Sequence, residues 1–83
     1  MSLVVHKYGG SSVADADMIK SVARRITDAR KKGTGVVAVV SAMGDSTDDL
    51  IDLARSVSSQ PHPREMDLLL STGELVACTL LTM

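Results

Sequence analysis

Aromatic side chains are almost missing from this 83-residue sequence, which contains one Tyr and no Phe or Trp. Any hydrophobic core must therefore be built from aliphatic side chains. Cysteine is equally scarce, because Cys78 is the single one. It excludes an internal disulfide framework and suits a reducing compartment. A chain of this length forms one domain at most and buries only about 60% of its unfolded surface, so a small core is expected.

An excess of charge of either sign is missing as well. Nine Lys and Arg residues oppose ten Asp and Glu residues, giving a formal net charge of −1. Nucleic-acid-binding domains usually carry a basic excess, so no nucleic-acid partner is expected. The first residues lack the basic start and apolar run of a signal peptide, and no apolar run approaches the roughly 20 residues of a membrane span. We therefore expect a cytoplasmic protein without a membrane partner.

What is present is hydrophobic patterning that predicts a β-α-β unit. Strands are expected at Leu3–Tyr8 and at residues 36–40, where β-branched side chains dominate. The apolar residues of the second run do not alternate, which indicates a strand covered on both faces, as in a parallel sheet. Between the strands, an amphipathic pattern predicts a helix that Ser12 caps and Gly33 ends. The fold class is therefore α/β.

Three helices are predicted after the second strand, at residues 47–57, 63–71 and 74–83. Ser46 is expected to cap the first of them, and Thr72-Gly73 is expected to separate the other two. The sequence ends without a helix stop signal, and two strands are few for a parallel sheet. We therefore expect residues 1–83 to form the front of a longer α/β domain.

The loop after the first strand has the composition of a phosphate-binding loop. Gly9 and Gly10 let backbone N–H groups approach an anion, the N-terminus of the following helix favours negative charge, and Lys7 adds a cation. The spacing matches neither the dinucleotide-binding fingerprint nor the P-loop. An ordinary strand-to-helix turn with a solvated Lys7 is the alternative interpretation.

Hydroxyl groups and an isolated glutamate form a second set of candidates. Ser41 and Thr47 flank the loop after the second strand, where they either bind a carboxylate or phosphate oxygen or serve as turn and cap residues. Glu74 follows Gly73 at an expected helix start, where it either compensates the helix dipole or faces a substrate ammonium group. No metal site is expected, and Cys78 is expected to be a buried, inert thiol.

Three stretches resemble the signature motifs of aspartokinases. KYGGSSV at residues 7–13 resembles the family's KYGGTSV, with Ser11 in place of threonine. VSAMGDSTD at residues 40–48 resembles VSAMGDTTD, and REMDLLLSTGE at residues 64–74 resembles the third motif. The motifs occur in the family's order, and the resemblance covers essentially the whole sequence.

This resemblance implies a fold and an activity. The fold is a three-layer αβα sandwich of the amino-acid-kinase type, of which residues 1–83 would be the N-terminal βαβ-plus-helices portion without a regulatory ACT domain. The activity is ATP-dependent phosphorylation of the L-aspartate β-carboxylate to 4-phospho-L-aspartate, on the route to lysine, threonine, methionine and diaminopimelate. The resemblance also implies Mg²⁺ associated with ATP and a homo- or hetero-oligomeric full-length protein.

The resemblance also implies roles for the matching residues. Lys7 would contact the ATP phosphates and stabilise charge on the transferring phosphoryl group. The loop around the transfer site would be formed by Gly9, Gly10 and Ser11. The aspartate pocket would be lined by Ser41, Thr47 and Glu74, with the glutamate facing the α-amino group of aspartate.

Other interpretations of the sequence stay open. The nearest is another amino-acid-kinase enzyme, such as an acetylglutamate, glutamate-5- or uridylate kinase. A different class is a non-catalytic binding or assembly fragment that pairs an exposed strand edge or an apolar helix with a partner. A dinucleotide-binding domain is a weaker alternative, because the G-x-G-x-x-G spacing is missing. Further catalytic residues of aspartokinases fall beyond residue 83, so residues 1–83 alone are expected to be inactive.

Overall fold

A computed structural model describes residues 2–83 as a two-stranded parallel sheet with three long helices. The elements in chain order are β1 (Leu3–Tyr8), a short 3-10 turn (Gly10–Val13), α1 (Ala16–Lys31), β2 (Gly35–Val40), α2 (Ser46–Val57) and α3 (Pro63–Thr82). The predicted β-α-β unit is confirmed, and its two strands pair in parallel from Leu3 opposite Gly35 to Tyr8 opposite Val40.

The core lies on the side of the sheet that faces α1. Alternation along β1 places Tyr8, the single aromatic residue, on this side, where it is 6% exposed. It packs with Val13 from the 3-10 turn and with Ile19 and Val22 from α1. The Tyr8 hydroxyl lies 2.9 Å from Nδ1 of His6, so its polar end also has a partner. The core is small and mainly aliphatic, as the composition predicts.

The opposite side of the sheet is open within residues 2–83. Its apolar side chains are Leu3, Val5, Val37 and Val39, which are 71%, 67%, 47% and 47% exposed. The prediction of a second strand covered on both faces is therefore wrong for the described part of the chain. The pattern is that of a parallel-sheet strand, but residues 2–83 contain helices for one face only.

The start of α1 differs from the prediction. The chain makes the 3-10 turn first, and Asp15, rather than Ser12, caps the helix by accepting a 2.9 Å hydrogen bond from the Met18 amide. The predicted end is confirmed, because Gly33 follows the helix with a φ of +85°, a backbone conformation that glycine adopts without strain.

The two remaining helices also differ in detail. Ser46 is the first residue of α2 rather than its cap, and Asp45 precedes it without a side-chain capping bond. The two helices predicted after residue 62 are one continuous helix, α3, which runs through Gly73. Pro63 occupies the first turn of α3, as expected, while Nδ1 of His62 accepts from the Arg64 amide at 3.2 Å.

The outer surface of α3 gives one further correction. Cys78 is exposed, so the expectation of a buried thiol is wrong. The apolar residues Leu68, Leu75 and Val76 are exposed on the same helix. In the part of the chain that the structure describes, no helix is long and apolar enough to cross a membrane.

Candidate active site

The loops that follow the two strands lie side by side at one edge of the sheet. The strands end opposite each other, with Tyr8 paired to Val40. The Ser41 amide donates to the Tyr8 carbonyl at 3.1 Å, and the Gly44 amide donates to the Gly10 carbonyl at 3.0 Å. The predicted phosphate loop and the predicted hydroxyl loop therefore form one hydrogen-bonded surface at the carboxyl ends of parallel strands, where α/β proteins bind ligands.

The two glycines of the first loop have different environments. A Cβ added to Gly10 would lie 3.0 Å from the Ala42 carbonyl oxygen and 3.2 Å from that of Gly44, so backbone packing requires glycine there. A Cβ added to Gly9 would meet no atom within 4 Å. Gly9 also has an extended backbone with φ −74°, which any residue adopts. The space above Gly9 is thus free for a ligand to approach the backbone.

Lys7 and Ser11 stand on either side of these glycines. Lys7 lies one residue before the end of β1, and its side chain is exposed on the open face of the sheet, in register with Val39. Ser11 is exposed within the 3-10 turn. An exposed cation and a hydroxyl therefore flank an accessible backbone segment, which is an arrangement that can bind phosphate oxygens.

The N-terminus of α1 lies further along the chain than the phosphate-loop prediction assumed. The chain forms the 3-10 turn where the first turn of the helix was expected, and α1 begins only at Ala16. The Asp15 carboxylate occupies the start of α1 by bonding the Met18 amide. One N–H group at the start of α1 therefore has a partner within the protein, and the helix cap is Asp15, three residues further along the chain than the predicted Ser12.

The two hydroxyl candidates sit on the second loop and on the helix after it. Ser41 is half-buried directly after β2, and Thr47 is exposed in the first turn of α2. Asp48 and Asp49 share that first turn, where carboxylates favour the helix dipole. Among residues 2–83, no three His, Cys, Asp or Glu side chains are grouped so that they could hold a metal ion.

Glu74 approaches the same region from α3, although not from a helix start. It is exposed in the middle of α3, and the residue before it, Gly73, is buried. A Cβ on Gly73 would lie 3.2 Å from the Ala42 Cβ and 3.9 Å from the Ser46 Cβ. The backbone of α3 therefore rests against the second loop and the start of α2, and Glu74 lies next to this contact.

Three small residues that join these elements were not among the predicted site residues. Ala42, Gly44 and Gly73 carry no reactive group, so their residue types do not indicate a binding or catalytic role. The structure singles out Gly44 by its φ of +49°. The sequence singles out Gly73 as a glycine inside an otherwise helical pattern. A cavity of about 270 Å³ opens beside Gly73, with Ser46, Asp49 and Thr72 in its wall.

Comparison with known proteins identifies the family. Residues 2–83 match the model of the amino acid kinase family. The chain therefore belongs to the amino acid kinase family. A crystal structure of an aspartate kinase from Synechocystis has the same fold over 98% of this chain, with a TM-score of 0.94 and 52% sequence identity. This confirms the predicted fold, an N-terminal βαβ-plus-helices portion of an amino-acid-kinase sandwich.

The similar sequences are aspartokinases, as the three motifs indicated. The aspartokinase of Mycolicibacterium smegmatis is 63% identical over all 83 residues, which cover 20% of that protein. Aspartokinase 2 of Bacillus subtilis is 52% identical over the same span, again 20% of its length. The chain thus spans about a fifth of the curated relatives it matches, and 14% of the Synechocystis chain.

Proposed function

We propose that the chain forms the N-terminal part of an aspartokinase catalytic domain. The observation that carries this proposal is the identity of 63% to an aspartokinase along the entire chain, motifs included. The loops bearing the first two motifs are hydrogen-bonded at one sheet edge, and the helix bearing the third packs against them. The parent protein would then be a cytoplasmic, oligomeric enzyme of lysine and threonine synthesis.

The reaction transfers the γ-phosphoryl group of ATP to L-aspartate. The bond between the γ-phosphorus and the β,γ-bridging oxygen breaks, a bond to a β-carboxylate oxygen forms, and ADP leaves. Such a reaction depends mainly on positioning and on neutralising charge in the transition state. Mg²⁺ would enter with the ATP phosphates, because this ion keeps several waters and is usually bound through substrate phosphates and one or two carboxylates.

The nucleotide side of the site is assigned to the first loop. Lys7 would neutralise charge on the transferring phosphoryl group. Gly9, Gly10 and Ser11 would form the loop around it, with Gly9 offering its backbone to the phosphate oxygens. The open space over Gly9 and the exposure of Lys7 support this assignment.

The aspartate side of the site is assigned to the second loop and α3. The hydroxyls of Ser41 and Thr47 would hold carboxylate oxygens of aspartate, and the Glu74 carboxylate would bind the α-ammonium group. The packing of Gly73 against Ala42 supports this assignment, because it brings the third motif to the second. A carboxylate bonded to an ammonium group is a strong, charge-assisted pair.

An acceptor panel tests the activity. Residues 1–83 replace the matching segment of the M. smegmatis aspartokinase, and ADP formation is measured with L-aspartate, N-acetylglutamate, glutamate and UMP as separate acceptors. The proposal predicts turnover with L-aspartate alone. Equal or greater turnover with another acceptor would instead support a different amino-acid-kinase enzyme.

A non-catalytic assembly role is favoured by one observation, the open apolar face of Leu3, Val5, Val37 and Val39. Light scattering of the isolated chain at several concentrations tests whether this face pairs two copies. A stable, saturable dimer would support an assembly role, whereas a monomer at all concentrations would argue against it.

A further inference from the structure

Ala42 lies between two glycines that belong to different elements. Its carbonyl oxygen is 3.0 Å from the position of a Cβ on Gly10, and its own Cβ is 3.2 Å from that of a Cβ on Gly73. Ala42 is 5% exposed, so both contacts are shielded from water. The first loop, the second loop and α3 thus meet at a single junction of small residues, Gly10, Ala42 and Gly73.

Gly73 carries an intrinsic cost at its position. It lies inside a 20-residue helix, where glycine is less favourable than alanine because it loses more backbone freedom. A Cβ there would also lie 3.5 Å from the Leu50 Cδ1, in addition to its contact with Ala42. Alanine at this position would require Ala42 and α3 to move apart by a few tenths of an ångström.

We propose that Gly73 is a positioning residue for aspartate binding, an inference that rests on the proposed function. Ser41 directly precedes Ala42, and Glu74 directly follows Gly73, so the Ala42–Gly73 contact sets the spacing between the two halves of the aspartate pocket. A helix is stiff along its axis, and a displacement at Gly73 is therefore passed on to Glu74. The nucleotide loop contacts a different group of the same residue, because Gly10 lies against the carbonyl oxygen of Ala42 rather than its Cβ.

The test uses the chimeric aspartokinase that carries residues 1–83. Gly73→Ala should raise the KM for L-aspartate by about 3- to 10-fold, less than the roughly 100-fold loss that a 1 Å misplacement can cause. The KM for ATP should stay within about twofold. Cys78→Ala, an equally small change at an exposed position of the same helix, is the control and should leave both values unchanged.

A double variant that moves the methyl group from position 42 to position 73 distinguishes a positioning role from a general structural effect. In the double variant Ala42→Gly/Gly73→Ala, one Cβ is removed where the other is added, and the KM for L-aspartate should return to within about twofold of the parent value. Ala42→Gly alone opens the contact and should also raise this KM, which provides a readout even where Gly73→Ala folds poorly.

The outcomes are distinct. A parent chimera that is folded but inactive would overturn the proposed function and this inference together. An active chimera in which Gly73→Ala and Ala42→Gly both leave the aspartate KM unchanged would overturn the inference alone. The same holds for a rise in KM that the double variant does not relieve, or for an equal rise in the KM for ATP.

Discussion

At the scale of single residues, the two neighbouring glycines of the first loop have different surroundings. Gly10 is held against the carbonyl oxygens of Ala42 and Gly44, whereas the Cβ direction of Gly9 is open. The fold of residues 2–83 explains Gly10 by packing, and it gives Gly9 no such reason. The proposed binding of a phosphate would supply one, because glycine lets phosphate oxygens approach the backbone closely.

Alanine substitutions at the two positions should therefore have opposite consequences. In the chimera, Gly9→Ala should leave the free energy of unfolding unchanged or raise it by up to about 1 kcal/mol, while lowering turnover. Gly10→Ala should lower the free energy of unfolding by about 1–3 kcal/mol through overpacking. Denaturant unfolding measures the stability of each variant, and ADP formation measures its turnover. Full activity of Gly9→Ala would contradict the assigned role.

Lys7 is assigned to charge that develops during transfer. Lys7→Ala should lower kcat on the order of 100-fold or more, as removal of other transition-state donors does. The free energy of unfolding of this variant should change by less than about 0.5 kcal/mol, because the Lys7 side chain is exposed. Lys32→Ala, at an exposed position after α1, is the matched control. Similar kcat values for both variants would contradict the assignment.

Glu74 is assigned to ground-state binding of the substrate ammonium group. Glu74→Gln keeps the shape and removes the charge, so the KM for L-aspartate should rise roughly 10- to 100-fold, the equivalent of a lost charge-assisted hydrogen bond. Glu65→Gln, the same change at an exposed position in the first turn of α3, should leave it unaffected. Steady-state kinetics with varied aspartate distinguish the two variants, and equal KM values would contradict the role of Glu74.

At the scale of elements, two residues near the start of α1 have the sequence features of a helix N-cap. Ser12 and Asp15 are both good N-cap residues, and the sequence alone did not show that Gly10–Val13 would form a 3-10 turn before the helix. The backbone bond from the Ser12 amide to the Gly9 carbonyl, at 3.0 Å, belongs to this turn. Because the turn precedes the helix, α1 begins at Ala16 and Asp15 is its cap.

Two substitutions compare these candidates. Asp15→Ala should lower the free energy of unfolding by about 0.5–2 kcal/mol, because it removes the acceptor of the Met18 amide. Ser12→Ala should cost less than that. Chemical denaturation of the chimera measures the difference, and a larger loss for Ser12→Ala would show that the helix begins earlier than at Ala16.

The two strands and the loops after them could be predicted from the local sequence pattern. The continuity of α3 could not, because it depends on packing between distant residues. β-branched runs ending in glycine or polar residues place both strand ends, and parallel pairing then brings Lys7, Gly9 and Ser41 to one edge. Gly73 resembles a helix break in sequence because its helix propensity is low. Its close contact with Ala42, which explains a glycine at this position, involves a residue far away in the chain.

At the scale of the whole molecule, residues 2–83 contain helices for one face of a sheet that needs cover on both. The exposed valines of β1 and β2, and Lys7 among them, lie on the open face. The chain corresponds to 20% of the length of its aspartokinase relatives. We therefore expect activity only when the remaining part of a kinase domain covers this face and completes the site.

The central claim is that residues 1–83 supply a working part of an aspartokinase site. It is tested most directly by aspartate-dependent ADP formation in the M. smegmatis enzyme whose matching segment is replaced by this chain. We predict a kcat/KM within about tenfold of that of the unchanged enzyme, and no turnover by the isolated chain. A folded chimera without aspartate-dependent turnover, or an isolated chain that turns over ATP and aspartate, would contradict it.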